Sequence, residues 1–241
     1  MRGFSPESSF GPEVAARYDD EPRGDEQAAV AFLTDLAHDG SALELAIGTG
    51  RIALPLAAQG VEVHGLELSS AMVGRLCEKP RGVDLQVWLG DMAAVQTGHR
   101  YDVVYLVFNT IFNLLTQDEQ VACFVNAARH MEDGGAFVVE AAVPSAWIGE
   151  QAYARPERVE ADAVTLDVCS YDPVTQVLHE NHVRISANGI SFGPISCRLA
   201  WPSELDLMAR IAGLELAERW GGWHRQPYTG RDQHVSVYRR A

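Results

Sequence analysis

Two glycines and an acid downstream of them are the residues whose types and spacing most directly suggest chemistry. Gly48, Gly50 and Ala53 in "LELAIGTGRIA" fit the pattern G-x-G-x-x-G/A. Glu67, at the end of "VHGLE", stands about twenty residues on, where a ribose-binding acid belongs. Glycine lets the backbone turn tightly and approach a ligand closely. Ligands of an open parallel sheet sit beyond the carboxyl ends of its strands, which puts Gly48, Gly50 and Arg51 at the ligand. On these residues alone a dinucleotide fits, and with it an NAD(P)-dependent oxidoreductase.

A second acid favours a different ligand. Glu44 lies four residues before Gly48, on the strand that feeds the turn. A carboxylate there repels a pyrophosphate but suits a ligand carrying an ammonium or sulfonium group. S-adenosylmethionine (SAM) is such a ligand, a nucleoside joined to a cationic amino-acid tail. A SAM-binding protein without catalysis remains open beside an enzyme.

Methyl transfer from a sulfonium is an in-line displacement, so the protein chiefly aligns and desolvates the nucleophile. A base near neutrality helps, and histidine is the natural one. His224 in "WGGWHRQPY" is a candidate base, and Trp223 and Tyr228 beside it suit a planar substrate. His182 is a second candidate base, provided that its hairpin forms a lid. His179 and His182 point to opposite faces of one strand, which argues against a metal pair. Cys77, Cys123, Cys169 and Cys197 are far apart and form no C-x-x-C pair, so no metal site is expected. Lys79 is the one lysine, which disfavours Schiff-base chemistry.

These residues need a scaffold, and the alternation of short apolar runs with helical ones supplies it. "ALELAI", "VEVHGL", "DLQVWLG", "YDVVYLVF" and "GGAFVVEA" read as strands with helices between them, the signature of βα units and a parallel sheet. Thr116 and Glu119 form a capping box ahead of "QDEQVACFVNAARHM". After residue 143 the rhythm shifts to period two around "YDPVT", an antiparallel hairpin to which "SFGPISCRLAW" adds a third strand. A helix then opens on Ser203 as N-cap and stops at Gly213, and "LELAERW" and "HVSVYRR" close the sheet. The expected organisation is an N-terminal helical cap over 1–40, a core over 41–149 and 201–241, and an inserted antiparallel subdomain over 150–200.

The chain has 241 residues, 47% of them hydrophobic, enough for one α/β domain. Its net charge of -14 disfavours nucleic acid as a partner. No apolar run is long enough to cross a membrane, and a soluble cytoplasmic protein is expected.

Taken in combination, "ELAIGTGR", "VHGLELSSAM", "LGDMAAV", "YDVVYLVFNTIFNLL" and "GGAFVVE" resemble the successive motifs of class I SAM-dependent methyltransferases, from about Ala42 to Glu140. The layout is most similar to that of small bacterial enzymes that methylate natural products. The resemblance implies an α/β, Rossmann-like fold with a seven-stranded, mostly parallel sheet whose last strand is antiparallel, plus the small β insertion as a lid. It implies SAM as cofactor and a small-molecule acceptor, with N-methylation favoured over O- or C-methylation. A homodimer is compatible with it.

The resemblance also carries residue roles. Glu44, Gly48 and Gly50 are expected near the methionine part of the cofactor, and Glu67 at the ribose hydroxyls. Leu68 or Met72 packs on adenine, and Asp91 and Met92 form the acid–apolar pair beside the base. Phe108 lies near the methyl group, and Tyr18 of the cap covers cofactor and substrate, with a catalytic role for its hydroxyl. Ala46 replaces the family's first glycine, a change that is tolerable if its backbone stays extended. Asn109 keeps one element of the "NPPY" sequence of some amino methyltransferases; "FNTIFN" otherwise departs from it, which disfavours adenine methylation. Asn109 and Phe112 of this stretch are substrate candidates, with Trp223 and Tyr228.

Overall fold

Apolar strands and amphipathic helices build the layers that the alternating pattern calls for. The computed structural model describes residues 1, 4–5, 9–20, 23–149 and 152–241; parts of the expected cap (2–3, 6–8, 21–22) and the first two positions of the expected insertion (150–151) lie outside the described residues. Helices α1 (Pro12–Arg17) and α2 (Glu26–Ala37) precede β1 (Ser41–Leu45). Then come α3 (Ala53–Ala58), β2 (Glu62–Glu67), α4 (Ser70–Cys77), β3 (Gln86–Leu89) and β4 (Tyr101–Leu106). Helix α5 (Gln117–Arg129) starts on the expected Thr116–Glu119 capping box, both halves of which are present, and leads into β5 (Met131–Ala142).

The main sheet is completed from the far end of the chain. After α6 (Pro202–Ile211), strands β10 (Leu214–Trp220) and β11 (Gln233–Arg240) join it to give the order β10-β11-β5-β4-β1-β2-β3. Strands β1 to β5 pair in parallel, and β11 is antiparallel to both β5 and β10. This is the sheet that the motifs imply. One apolar layer seats α2, α3 and α4 through Phe32, Leu33, Leu56 and Leu76; the other seats α5 and α6 through Phe124, Leu205 and Met208. The sheet is thus covered on both faces, as parallel sheets require.

Between β5 and α6 lies a separate four-stranded antiparallel meander, β6 (Ala152–Val159), β7 (Ala163–Asp172), β8 (Val177–Ser186) and β9 (Gly189–Arg198). The β7–β8 turn falls where "YDPVT" predicts it: the Asp172 carboxylate accepts the Val174 N–H at 2.9 Å and the Thr175 hydroxyl at 2.7 Å. Strand β6 is an addition to the expected hairpin and third strand. Its alternation is concealed by Arg155, Pro156, Glu157 and Arg158, which suit an exposed edge strand.

One terminus differs from expectation. Helix α6 has Trp201 as its N-cap and Pro202 at its first position, so Ser203 is inside the helix; the missing Pro N–H costs nothing in the first turn. Gly213 follows its end with φ 76° as expected.

Candidate active site

The carboxyl ends of β1, β2, β3 and β4 open onto a cavity of about 500 Å³. Tyr18, Ala46, Gly48, Glu67, Leu68, Met72, Asp91 and Met92 all line it, so eight residues singled out from sequence meet at one place. Phe10, Leu66, Gly90, Thr110, Asn113, Leu114, Leu115 and Glu119 complete the wall. Three of the lining residues are acids, and none of those described is Lys, Arg or His.

Glu67 organises the turn. Its Oε2 accepts the Gly48 N–H at 2.7 Å and its Oε1 accepts the Ser69 N–H at 2.8 Å. Burial nevertheless raises its pKa, a rise which these N–H groups oppose. Each carboxylate oxygen has a lone pair to spare for a ligand hydroxyl. Gly48 has φ 58°, and a Cβ there would stand 3.5 Å from the Met72 Cε; a Cβ on Gly50 would come within 2.5 Å of the Leu76 Cδ1. Gly48 therefore supplies the left-handed backbone of the turn, while Gly50, outside the lining, also lets the turn pack on α4.

Ala46 lines the cavity but is not extended: its φ is 61°. The strand ends there because the left-handed residue breaks the ladder, at a cost of about 1 kcal/mol that glycine would avoid. Glu44 lies beneath the turn rather than in the lining. It is 2% exposed, its Oε2 accepts the Tyr105 hydroxyl at 3.0 Å, and burial pushes its pKa up to about 8 against the pull of Tyr105 and Arg51. At neutral pH the group is therefore mostly uncharged in this structure, which removes the simple electrostatic reason for expecting it beside a cation.

The N-terminal segment closes one side of the cavity. Ser69, the N-cap of α4, accepts the Met72 N–H and donates its hydroxyl to the Phe10 carbonyl at 2.6 Å. The Asp19 carboxylate accepts the Thr49 hydroxyl at 2.7 Å and pairs with Lys79 at 2.9 Å, and Lys79 also donates to the Thr49 carbonyl. Ser9 donates to the Pro194 carbonyl at 3.2 Å, so the segment also touches β9. Tyr18 is buried enough that its pKa is raised, so its phenol stays protonated at neutral pH.

Beside Tyr18 is a residue that sequence reasoning missed. The Arg23 guanidinium stands 3.5 Å over the Phe108 ring centroid and 4.9 Å from that of Tyr18, and its buried Nε has no hydrogen-bond partner among the described residues. Phe108 is 40% exposed, outside the cavity lining, with φ 55°; Asn109 follows at 63°. Such left-handed residues cost on the order of 1–3 kcal/mol each and persist only where their surroundings hold them. Arg51 pairs with Asp25 and Glu26 at the start of α2 and so ties the turn to the cap. Phe10, Arg23 and Glu140 are given no role in the sequence reading. The lone acid in "AFVVEA" was the one readable signal among them.

The remaining candidates lie elsewhere. Asn109 uses its Oδ1 to accept the Ala142 N–H, and Phe112 is fully buried against Trp147, so neither lines the cavity. Trp223 and His224 line a separate surface groove with Phe32, Asp35 and Arg225 of α2 and its surroundings. Tyr228 packs near His234 and Arg219. His182, with its Nδ1 3.0 Å from the Glu157 carboxylate, lines a third cavity with Tyr153, Asp167 and Glu180. These placements follow from the long loop after β10 folding back on α2 and from β8 lying beyond β9. Neither long-range packing leaves a local trace in sequence.

Comparison with known proteins gives a consistent picture. A family model described as a methyltransferase domain matches residues 42–135. The structure of the CcbJ methyltransferase from Streptomyces caelestis superposes with a TM-score of 0.93 at 39% identity, covering 99% of this chain and 100% of that one. A cypemycin N-terminal methyltransferase from Streptomyces is 27% identical over 197 residues, 81% of this chain and 80% of its own. SAM-bound CalS10, an amino pentose methyltransferase from Micromonospora echinaspora, is 25% identical with a TM-score of 0.64, covering 98% of this chain and 92% of that chain.

Proposed function

The chain belongs to the SAM-dependent methyltransferases, and from that premise we propose that it methylates the nitrogen of a small-molecule amine. The observation that carries this reading is the charge of the cavity: Glu67, Asp91 and Glu119 line it without a described cationic residue. Such a wall suits a sulfonium and an amine and disfavours a phosphate-rich ligand. The cypemycin enzyme is named for an N-terminus and CalS10 for an amino pentose, both of them places where an amine occurs.

The residues present fit the cofactor. Gly48 turns the backbone at the cavity wall with φ 58°, and the Arg23 Nε, without a hydrogen-bond partner among the described residues, is a donor open to a ligand. Glu67 would hold the ribose hydroxyls, Asp91 and Met92 the base, with Leu68 and Met72 as its apolar walls. Arg23, with Tyr18 and Phe108, would hold the anionic end of the amino-acid tail. The cofactor supplies an electrophilic methyl group on a cationic sulfur.

The chain contributes alignment and exclusion of water. Phe10 and Tyr18 cover the cavity, and the protonated Tyr18 phenol can donate to or accept from an amine but does not act as a phenolate base. A neutral amine attacks with its own lone pair and sheds its proton afterwards, so the lack of a lining histidine is compatible with N-methylation; phenol methylation needs a base first. The cap over 1–40 and the meander within 150–200 are read as the walls of the acceptor mouth, joined by the Ser9–Pro194 contact.

Calorimetry with SAM and NAD, followed by S-adenosylhomocysteine release with a dTDP-aminosugar, a peptide with a free N-terminus and a simple phenol, tests the proposal. Binding of SAM and turnover on an amine are expected. Binding of NAD alone, or turnover on the phenol alone, would overturn it.

A further inference from the structure

The strained bend after β4 is held by a residue on the neighbouring strand. Glu140, near the end of β5, is 4% exposed, and its two carboxylate oxygens accept from two different parts of the chain. Oε2 accepts the Phe108 N–H at 2.7 Å, and Oε1 accepts the indole Nε1–H of Trp223 at 2.9 Å. Its main-chain carbonyl accepts the Asn109 N–H at 3.2 Å. Trp223 in turn packs edge-on against Phe32 of α2, ring centroids 5.4 Å apart. One buried carboxylate thus joins the bend, the loop after β10 and the helix that follows Arg23.

A carboxylate buried at this depth is unfavourable without donors, and here both donors point to it. No uncharged side chain of the same shape accepts at both oxygens. We infer that Glu140 is a positioning residue: by accepting both N–H groups it fixes the Phe108–Asn109 bend and with it the ring on which the Arg23 guanidinium rests. The inference rests on the reading of the cavity as a SAM site, since that reading gives Arg23 and Phe108 their ligand.

The chemistry of the amide supplies a test with an internal rescue. Glu140→Gln has one accepting oxygen and one NH₂ donor, so either the Phe108 or the Trp223 N–H then faces a donor. Adding Trp223→Phe removes the indole donor and frees the amide oxygen for Phe108. Glu140→Gln is expected to weaken SAM binding in calorimetry by about tenfold or more, the loss expected from breaking a charge-assisted hydrogen bond. The double variant should return to within about threefold of Trp223→Phe alone. Exchange of the Phe108 amide, followed by NMR, should be faster in Glu140→Gln than in the wild type and slow again in the double variant.

Wild-type affinity in Glu140→Gln, or a double variant no better than Glu140→Gln in both readouts, would overturn the inference; a merely structural role predicts additive losses. If Glu140→Gln does not fold, Glu140→Asp serves the same comparison, because its shorter carboxylate cannot span both donors. Should the wild type itself bind no SAM, the cofactor reading fails, while amide exchange still decides whether Glu140 clamps the bend. SAM binding by the wild type, with neither affinity nor slow exchange restored in the double variant, would sink this inference alone.

Discussion

The Glu67 Oε2 lies 2.7 Å from the Gly48 nitrogen, so the acid that ends β2 is bonded to the turn that follows β1. Its loss should therefore reach the cofactor twice, through the lost ligand contact and through a loosened turn. Glu67→Ala should weaken SAM binding by about 1–3 kcal/mol in calorimetry. Unchanged affinity would refute the assignment.

Arg23 offers a discrimination between parts of the cofactor. SAM and S-adenosylhomocysteine share the same carboxylate and differ at sulfur, so a residue that binds the tail should affect both alike. Arg23→Met, which keeps an unbranched apolar stem over Phe108, should weaken both ligands by a similar factor of about 10 to 100. Loss confined to SAM would place Arg23 at the sulfur instead.

Glu44 predicts a pH dependence of stability. Its carboxyl has a pKa near 8 in the folded chain, above the ordinary value of 4.5. Between those values the folded state binds a proton that the unfolded state has released, so folding stability falls as pH rises from about 4.5 to 8. At about 1.4 kcal/mol per pKa unit the full effect is a few kcal/mol. Glu44→Gln mimics the neutral acid, and its melting temperature should exceed that of the wild type by more at pH 8 than at pH 5. Parallel pH profiles would show that Glu44 is ionised when buried.

The cap should loosen when its latch is cut. Lys79 holds both Asp19 and the Thr49 carbonyl from a partly exposed position, a contact worth up to about 1 kcal/mol. Lys79→Gln should speed backbone hydrogen exchange over residues 9–20 by no more than about tenfold, with little change in melting temperature. Equal exchange in both proteins would show that the other contacts, Ser69 to Phe10, Thr49 to Asp19 and Ser9 to Pro194, suffice to hold the cap.

His224 makes a negative prediction. It lies in a groove against α2, away from the cavity, so His224→Ala should leave turnover on an amine acceptor and SAM affinity within about twofold of the wild type. A large loss of turnover at constant affinity would restore it as a base.

How much was legible in the sequence differs by the range of the interaction. The parallel strands were readable because each carries an apolar run, and the Thr116–Glu119 capping box because its partners are three residues apart. The cavity wall was readable in large part because Ala46, Gly48, Glu67, Leu68, Asp91 and Met92 all sit at or just after strand ends. Phe10, Arg23 and Glu140 act through partners far along the chain, Ser69 at a separation of 59 residues, Phe108 at 85 and Trp223 at 83, which no local pattern announces. Ala46 fails for another reason: the side chain suggests extended backbone, but the turn onto Gly48 demands a left-handed residue there.

The insertion of β11 between β5 and β10 bears on how the chain is made. In the meander every strand pairs with its sequence neighbours, whereas β5 waits for β11, pairing Glu140 with Val235. On a ribosome the meander can therefore form early, while β5, the strand that carries Glu140, keeps a bare edge until β11 has emerged. Late-forming pairs of this kind fold slowly and are exposed to misassembly. Truncation within β11 should accordingly damage the seven-stranded sheet before the locally paired meander.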